Sequence, residues 1–241
     1  MKALAFGALM ASFCWMQHAL ADENQYENNI RTTMQEMFNV KVKSITPAGH
    51  LGLYEVYADG HIFYTDEQAQ VVIFGGELID AKQKKNLTYE RLTELSAIAF
   101  GELKLENAIK QVRGNGKRKL ATFEDPNCGF CKRLAAELQK VKDTTIYVFL
   151  YPILGENSYK KSKQIWCAKD RAKAWNDWMI NGIEPSGNEN CNTQALDENR
   201  VFGKQHNITG TPTMFFESGK RAGGMLPLDK INENLKVAAK K

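Results

Sequence analysis

The chain has 241 residues, of which 43% are hydrophobic, and a net charge of +4 from 32 Lys and Arg against 28 Asp and Glu. This balance is close to neutral and includes no long basic block, which argues against nucleic acid or an acidic membrane as a partner. The length suits one large domain or two small ones.

The first 21 residues have the order of a secretory signal peptide. Lys2 gives a positive start, residues 3–16 are apolar and uncharged, and Ala19 and Ala21 form a small-x-small cleavage site. The apolar run is shorter than the roughly 20 residues that a membrane-spanning helix needs. We therefore expect export, with cleavage after Ala21 and a mature chain of residues 22–241.

Cleavage would remove Cys14 and leave an even number of cysteines. In an exported protein, four cysteines indicate disulfides rather than free thiols. Four cysteines allow three connectivities. The spacing favours pairing within the close pair, Cys128 with Cys131, and within the distant pair, Cys167 with Cys191.

Residues 22–82 have the pattern of a small, β-rich domain. A short helix is predicted from Asp22 to about Met37, and runs of strand-forming residues predict strands near residues 40–45, 53–57, 61–65, 70–74 and 77–80. A domain of this size buries little core, and its strand edges invite pairing with another copy. We expect it to dimerise; an independent monomeric module is the alternative.

Residues 83–113 are predicted to be a linker helix region. The segment 88–112 is rich in Glu, Leu, Lys and Ala, with a break at Gly101. We expect a linker helix before the break and a second helix after it. A turn at residues 114–116, which read Gly-Asn-Gly, would end the second helix.

Residues 114–241 have the pattern of an α/β domain. A strand near 117–123, a helix with its apolar residues on one face, and a continuous β-branched and aromatic run at 145–151 predict a βαβ unit. Further helices are predicted at 158–183 and 193–206, then a strand at 213–217. Pro227 is predicted to open the last helix.

Cys128 and Cys131 stand two residues apart where the first strand of this domain passes into the helix. Free N–H groups and the helix dipole favour a thiolate at such a position. A zinc site is disfavoured because no second close pair of ligands is present, and covalent haem would need histidine in place of Lys132. A redox pair is the favoured interpretation, and a plain structural disulfide is the alternative.

Two motifs carry a family resemblance. Residues 123–131, FEDPNCGFC, resemble the F-x4-C-x-x-C motif of thioredoxin folds, and residues 207–213, NITGTPT, are similar to the loop that places a cis-proline opposite that motif. The added N-terminal domain narrows the resemblance to the DsbC/DsbG family of periplasmic thiol:disulfide interchange proteins, nearer to DsbC. The resemblance extends across the whole mature chain.

The resemblance implies an α/β fold: a C-terminal thioredoxin-like fold with a helical insertion, a linker helix and a small N-terminal α+β, cystatin-like dimerisation domain. It implies that Cys128 attacks substrate disulfides, that Cys131 resolves the complex, and that Thr211 and Pro212 hold a substrate strand. Cys167 and Cys191 are interpreted as a structural bridge, with a second redox pair as the alternative.

One position departs from thioredoxins. They carry a buried Asp immediately before the Phe of the motif, where this chain has Thr122. Glu124 and Asp125 lie nearby in sequence, but the pattern does not require either to point inward. We therefore assign the role of a buried acid to no residue.

The implied function is that of a periplasmic disulfide isomerase and reductase without cofactor or metal. It would be a homodimer with chaperone activity. It would act on misoxidised exported proteins and be kept reduced by a membrane electron donor of the DsbD type. The alternatives are a dedicated dithiol reductase, a dithiol oxidase, or a chaperone-like binding dimer.

Overall fold

The computed structural model describes residues 25–238, and the chain divides between Leu92 and Thr93 into two compact units. The predicted signal peptide, with Cys14 and the cleavage site after Ala21, lies outside the described residues. No helix within residues 25–238 is both long enough and apolar enough to cross a membrane.

The N-terminal unit is an antiparallel sheet with a helix packed on it. Helix α1 occupies residues 25–38, and four strands pair in the order β1-β2-β3-β4. Ile30 and Met34 of α1 pack against Val56 and Phe63 of the sheet. The bounds of the strands are β1 Val42–Pro47, β2 Tyr54–Ala58, β3 His61–Thr65 and β4 Val72–Phe74, followed by the short hairpin of β5 Ile79–Asp80 and β6 Lys85–Asn86. The predicted strands are thereby confirmed, and the predicted helix is confirmed from residue 25 onward, since residues 22–24 lie outside the described residues.

The linker region contains one helix rather than two. Helix α2 is Leu87–Leu95, and after it come two short 3-10 turns, Phe100–Glu102 and Leu105–Asn107. The prediction of a second helix up to residue 112 was wrong, because strand β7 begins at Ile109. Its first residues alternate between buried and exposed and pair with the neighbouring strand β8. Sheet pairing has overridden a composition that favours helix.

The predicted turn at residues 114–116 is a bulge within β7. Arg113 and Lys117 both pair with Thr144, so the residues between them stand out of the ladder. Gly114 has a φ of 55°, and a Cβ there would come within 2.3 Å of an oxygen of Asp143. Glycine suits this position because it tolerates both the positive φ and the close approach.

The C-terminal unit is built on a four-stranded mixed sheet in the order β10-β9-β7-β8, with β7 parallel to β8 and antiparallel to β9. The helical region predicted at 158–183 consists of two helices, α4 and α5. The bounds are β7 Ile109–Glu124, α3 Gly129–Leu138, β8 Thr144–Leu150, α4 Glu156–Trp166, α5 Arg171–Asn181, α6 Gln194–Gln205, β9 Thr213–Phe216, β10 Arg221–Gly223 and α7 Leu228–Ala238.

Two hydrophobic clusters cover the two faces of this sheet. Leu120 of β7 belongs to the cluster with Cys131 and Leu134 of α3. Phe123 belongs to the other cluster, where its ring stacks on Phe149 at 4.7 Å between centroids. Successive side chains of a strand point to opposite faces. Residues 122 and 124 therefore lie on the same face as Leu120, toward the start of α3.

Candidate active site

The cysteine pair begins helix α3. Cys128 is its N-cap residue, with extended backbone angles (φ −77°, ψ 119°), and its Sγ accepts a hydrogen bond from the backbone N–H of Cys131 at 3.4 Å. Lys132 N–H donates to the Cys128 carbonyl in the first helical turn. Negative charge that forms on Cys128 Sγ therefore faces an N–H group and the positive end of the helix dipole.

Both cysteines are buried, but only Cys128 has any exposed surface. Cys131 is fully buried, while 6% of Cys128 is exposed, and both are free thiols. Burial raises the pKa of the Cys131 thiol far above its ordinary value, and the nearby Glu124 acts in the same direction. Cys131 is thus held as a protonated thiol behind Cys128.

The loop that contains Thr211 and Pro212 faces Cys128. The Thr211–Pro212 peptide bond is cis, and the Cys128 thiol donates to the Thr211 carbonyl at 3.2 Å. The Pro212 carbonyl accepts from Gly224 N–H at 2.8 Å, and the Thr213 hydroxyl donates to Gly210. Four residues predicted to form the site, Cys128, Cys131, Thr211 and Pro212, therefore lie together.

A groove of about 670 Å³ opens between the start of α3 and this loop. Phe130, which lies between the two cysteines, is 55% exposed at its edge, and the Arg133 guanidinium lies 4.3 Å from the ring centre. The lining residues are Phe130, Arg133, Thr209, Gly210, Thr211, Thr213, Arg221, Gly223, Gly224 and Met225. An apolar side chain of an extended peptide could rest on Phe130 within reach of Cys128.

Asp125 fixes the loops on both sides of the pair. Its fully buried carboxylate accepts from the N–H of Asn127 and the hydroxyl of Ser158 on one oxygen, both at 2.8 Å. The other oxygen accepts from the N–H groups of Ile153 and Leu154 at 2.8 and 2.9 Å. Four hydrogen bonds satisfy the charge, as a buried carboxylate requires.

Trp178 of α5 holds the segment before Cys128 in place. Its indole N–H donates to the Pro126 carbonyl at 2.6 Å. The ammonium groups of Lys132 and Lys161 lie 3.8 and 3.5 Å from the centre of its ring, which are cation–π distances. The helical insertion thus contributes directly to the position of the active-site turn.

Glu124 is a residue of the site to which the sequence analysis gave no role. It ends strand β7 and is fully buried, and neither of its carboxyl oxygens has a hydrogen-bond partner in the described chain. Burial raises its pKa to about 8. The Thr122 hydroxyl lowers this pKa slightly, although no hydrogen bond of normal geometry joins the two groups.

Cys167 and Cys191 form a disulfide, with an S–S distance of 1.96 Å and a Cα–Cα distance of 5.6 Å. Cys167 ends helix α4, and Cys191 lies in the loop before α6. The indole N–H of the adjacent Trp166 donates to the Asn192 carbonyl at 3.0 Å. The bridge therefore ties the long loop to the helical insertion.

Residues 25–238 contain no group of three His, Cys, Asp or Glu side chains arranged to hold a metal ion. Close to the pair, the carboxylate of Asp125 and the indole N–H of Trp178 form hydrogen bonds to protein backbone. The chemistry that this arrangement supports is exchange between a sulfur at a helix start and an external disulfide.

Comparison with known proteins gives consistent matches along the chain. Residues 105–239 match the family model of a thioredoxin-like domain, and residues 17–89 match that of the disulfide bond isomerase protein N-terminal domain. The probable thiol:disulfide interchange protein DsbC of Bordetella pertussis is 44% identical over 200 residues, which cover 83% of this chain and 70% of that protein. The thiol:disulfide interchange protein DsbC of Salmonella typhimurium is 31% identical over 223 residues, or 90% and 87% of the two chains.

A solved structure shows the same similarity. The crystal structure of a disulfide interchange protein from Neisseria gonorrhoeae is 41% identical and superposes with a TM-score of 0.55. The match covers 58% of this chain and 100% of that one.

Proposed function

The chain belongs to the DsbC family of thiol:disulfide interchange proteins and is a disulfide isomerase, and from that premise we propose that Cys128 and Cys131 carry its reaction on misoxidised exported proteins in the periplasm. The observation that carries the proposal is the contrast between the two sulfurs. Cys128 lies at the helix start beside an open groove, whereas Cys131 is buried and protonated behind it.

Cys128 begins the reaction. Its thiolate attacks one sulfur of a non-native disulfide, a bond forms between Cys128 and the substrate, and the other substrate sulfur leaves as a thiolate. If that thiolate attacks a different disulfide of the same substrate, and the chain finally displaces Cys128, the disulfides have been rearranged without net oxidation or reduction.

Cys131 releases a substrate whose mixed disulfide with Cys128 does not rearrange. Its sulfur attacks Cys128, the bond between Cys128 and the substrate breaks, and the substrate leaves reduced while the pair becomes a disulfide. A dithiol donor must then reduce the pair, and we assign this role to a membrane electron donor of the DsbD type. Fast resolution would make the protein a reductase, so isomerisation needs Cys131 to react slowly.

Thr211 and Pro212 are proposed to hold the substrate. The Thr211 carbonyl lies 3.2 Å from Cys128 Sγ, so an extended peptide that pairs with this backbone would bring its own cysteine close to Cys128. Such pairing gives affinity that depends little on sequence. The exposed ring of Phe130 favours apolar side chains, which misfolded proteins expose.

Residues 22–82 are proposed to form the homodimer. Strand β4 is the last strand of the N-terminal sheet, and Ile73 and Phe74 on it are 40% and 61% exposed. A free edge with exposed apolar residues suits pairing with a second copy. We further propose residues 1–21 as the signal peptide, 83–113 as the linker region and 114–241 as the catalytic domain. A dimer would present two reactive sites to one unfolded chain, which supports a chaperone role.

The test is recovery of activity by a substrate protein with scrambled disulfides in a glutathione buffer. We expect the wild type to accelerate recovery, and Cys128→Ala to reduce the rate at least 100-fold because the attacking sulfur is gone. Cys128→Ser, which keeps the size of the side chain, should behave in the same way.

Other outcomes would change the assignment. Good reduction of simple disulfides without acceleration of recovery would indicate a dedicated reductase, and oxidation of dithiols would indicate an oxidase. Suppression of aggregation that survives in Cys128→Ala, with exchange lost, would show a binding function that is separate from the sulfur chemistry.

A further inference from the structure

Glu124 is a fully buried carboxyl group that no hydrogen bond satisfies in the described chain. Such a group is costly to keep, because a buried polar atom without a partner loses the hydration that it has in the unfolded chain. The neighbouring residue Asp125 differs, since its carboxylate accepts four hydrogen bonds. The free-energy cost of burying Glu124 is a reason to look for a role of this carboxyl group in the thiol–disulfide reaction.

The register of β7 directs Glu124 toward the cysteines. It pairs with Leu150 of β8, and its carbonyl accepts from Tyr151 N–H at 2.8 Å. Its side chain lies on the face of the sheet that carries Leu120, whose cluster includes Cys131. It is close enough to Cys131 to act electrostatically on that thiol.

We propose that the buried carboxyl of Glu124 takes the proton of Cys131 when that sulfur displaces a bound substrate, and so sets how long a mixed disulfide persists. The proposal rests on the assignment of Cys128 and Cys131 made above and adds a catalytic residue to it. The proton moves from Cys131 Sγ to the carboxylate, Cys131 attacks Cys128, and the bond from Cys128 to the substrate breaks. The substrate sulfur leaves with the electron pair.

The proton can return along the same route. When a dithiol reductant reduces the disulfide of Cys128 and Cys131, Cys131 is left as a buried thiolate that needs a proton. Glu124, now protonated, supplies it. The carboxyl and the thiol thus exchange one proton over a cycle in which two electrons enter from the donor and two leave with the substrate.

The state of Glu124 at neutral pH makes resolution slow. A carboxyl with a pKa of about 8 is mostly protonated at pH 7, so only about a tenth of the molecules hold a base for Cys131. In the remainder the mixed disulfide persists, and the substrate thiol has time to attack elsewhere. Protonated Glu124 therefore favours rearrangement, and ionised Glu124 favours reduction.

Few other titratable groups lie around this carboxyl. Cys131 of α3 lies within electrostatic range of it, and Asp125 follows it in the chain with its own bonds complete. The paired residue of β8 is Leu150. Helices α5 and α7, which also pack on β7, contribute apolar residues to this cluster, among them Trp178, Met179, Ile231 and Leu235.

The experiment follows a single turnover of the reduced protein with a small disulfide-containing peptide between pH 6 and 9. Acid quenching and mass spectrometry give the amount of mixed disulfide with time, and its decay gives the resolution rate. In the wild type we expect this rate to rise close to tenfold per pH unit and to level off near pH 8. In Glu124→Gln we expect it to be at least tenfold slower at pH 8.5 and to lose that inflection.

Two further variants separate chemistry from structure. Glu124→Asp keeps an acid and should retain a pH inflection and part of the rate. Glu137→Gln removes a partly exposed carboxylate on α3 that pairs with Lys140, and it should behave as the wild type. The infrared band of a protonated buried carboxyl should be present at pH 6 in the wild type, disappear as the pH passes 8, and be absent from Glu124→Gln.

The outcomes distinguish this inference from the proposed function. If the wild type forms no mixed disulfide, or Cys128→Ala forms it equally well, the proposed function fails. If the wild type reacts through Cys128 but Glu124→Gln keeps the wild-type pH profile, the role of Glu124 alone is refuted. Absence of the infrared band at pH 6 would also refute it.

Discussion

At the scale of single residues, the site combines two buried carboxyl groups with opposite environments. Asp125 accepts four hydrogen bonds and stabilises the turn before Cys128 together with residues 153 and 154. Glu124 accepts none in the described chain. The two adjacent acidic residues therefore have different environments. Glu124 is the last residue of strand β7, whereas Asp125 begins the turn that follows it.

The first prediction concerns the pH dependence of stability. In the folded chain Glu124 keeps its proton up to a pH of about 8, while its ordinary pKa is 4.5. Between these values the unfolded state releases a proton that the folded state keeps, so stability falls as the pH rises from 4.5 to 8. Glu124→Gln removes this loss. The variant should gain on the wild type across that interval, by at most roughly 5 kcal/mol.

The measurement is denaturant unfolding at pH 5 and pH 8 in one fixed redox buffer, with Glu137→Gln, which removes a partly exposed carboxylate, as the control. The difference between Glu124→Gln and the wild type should grow with pH, whereas that of the control should not. A constant difference for Glu124→Gln would mean that Glu124 is already ionised at pH 5 in the folded protein.

At the scale of helices and strands, the disulfide between Cys167 and Cys191 joins two parts of the helical insertion. Its cysteines are separated by 24 positions. Closing a loop of this length stabilises a protein by ~3 kcal/mol in the chain-entropy model, whose mechanism is debated. The double variant Cys167→Ala, Cys191→Ala should lose stability by about that amount.

Exchange by the pair at α3 should continue in this double variant below its melting temperature. Unfolding curves measure the stability, and reduction of a small disulfide measures the exchange. Loss of exchange in a variant that is still folded would instead support the alternative of a second redox pair at Cys167 and Cys191.

The elements differ in how far sequence predicts them. Helix α3 could be predicted because Cys131, Leu134 and Leu138 recur at helical spacing and are all buried in the structure. The first residues of β7 could not, because their composition favours helix while their pairing with β8, which follows much later in the chain, decides their structure. Local preference is a weak guide where distant pairing competes with it.

The residues of the site also differ in how far the sequence predicts them. The spacing of Cys128 and Cys131 and the Thr211–Pro212 loop are local signals, and both could be recognised from sequence. The burial of Glu124 could not, since glutamate is seldom fully buried and nothing adjacent to it marks it as an exception. Its burial depends on the core cluster that joins α3 to the sheet, which the local sequence does not reveal.

At the scale of the whole molecule, the proposed dimer can be tested at strand β4. Ile73→Glu places a charge on the exposed edge of the N-terminal sheet. We expect this charge to shift the protein toward monomer in analytical ultracentrifugation. Recovery of a scrambled substrate should fall about tenfold, because one site cannot hold an unfolded chain as two can. Reduction of a small disulfide should stay within about twofold.

Leu51→Glu is the matched control, since Leu51 is 87% exposed in the loop between β1 and β2 and lies outside the edge strand. Melting curves show whether each variant is folded. A wild type that sediments as a monomer would remove the proposal of a homodimer. A dimer that Ile73→Glu leaves intact would exclude β4 as its interface.

The separate cores of the two units have a consequence for how such a protein can change over generations. Ile30, Met34 and Phe63 pack in a cluster of their own, and none of its members belongs to the two clusters of the C-terminal unit. Substitutions without shared partners have nearly additive effects on stability. Substitutions that accumulate in the N-terminal core should therefore change stability independently of substitutions in the core of the C-terminal unit, so that the two halves of the gene can vary separately in their cores.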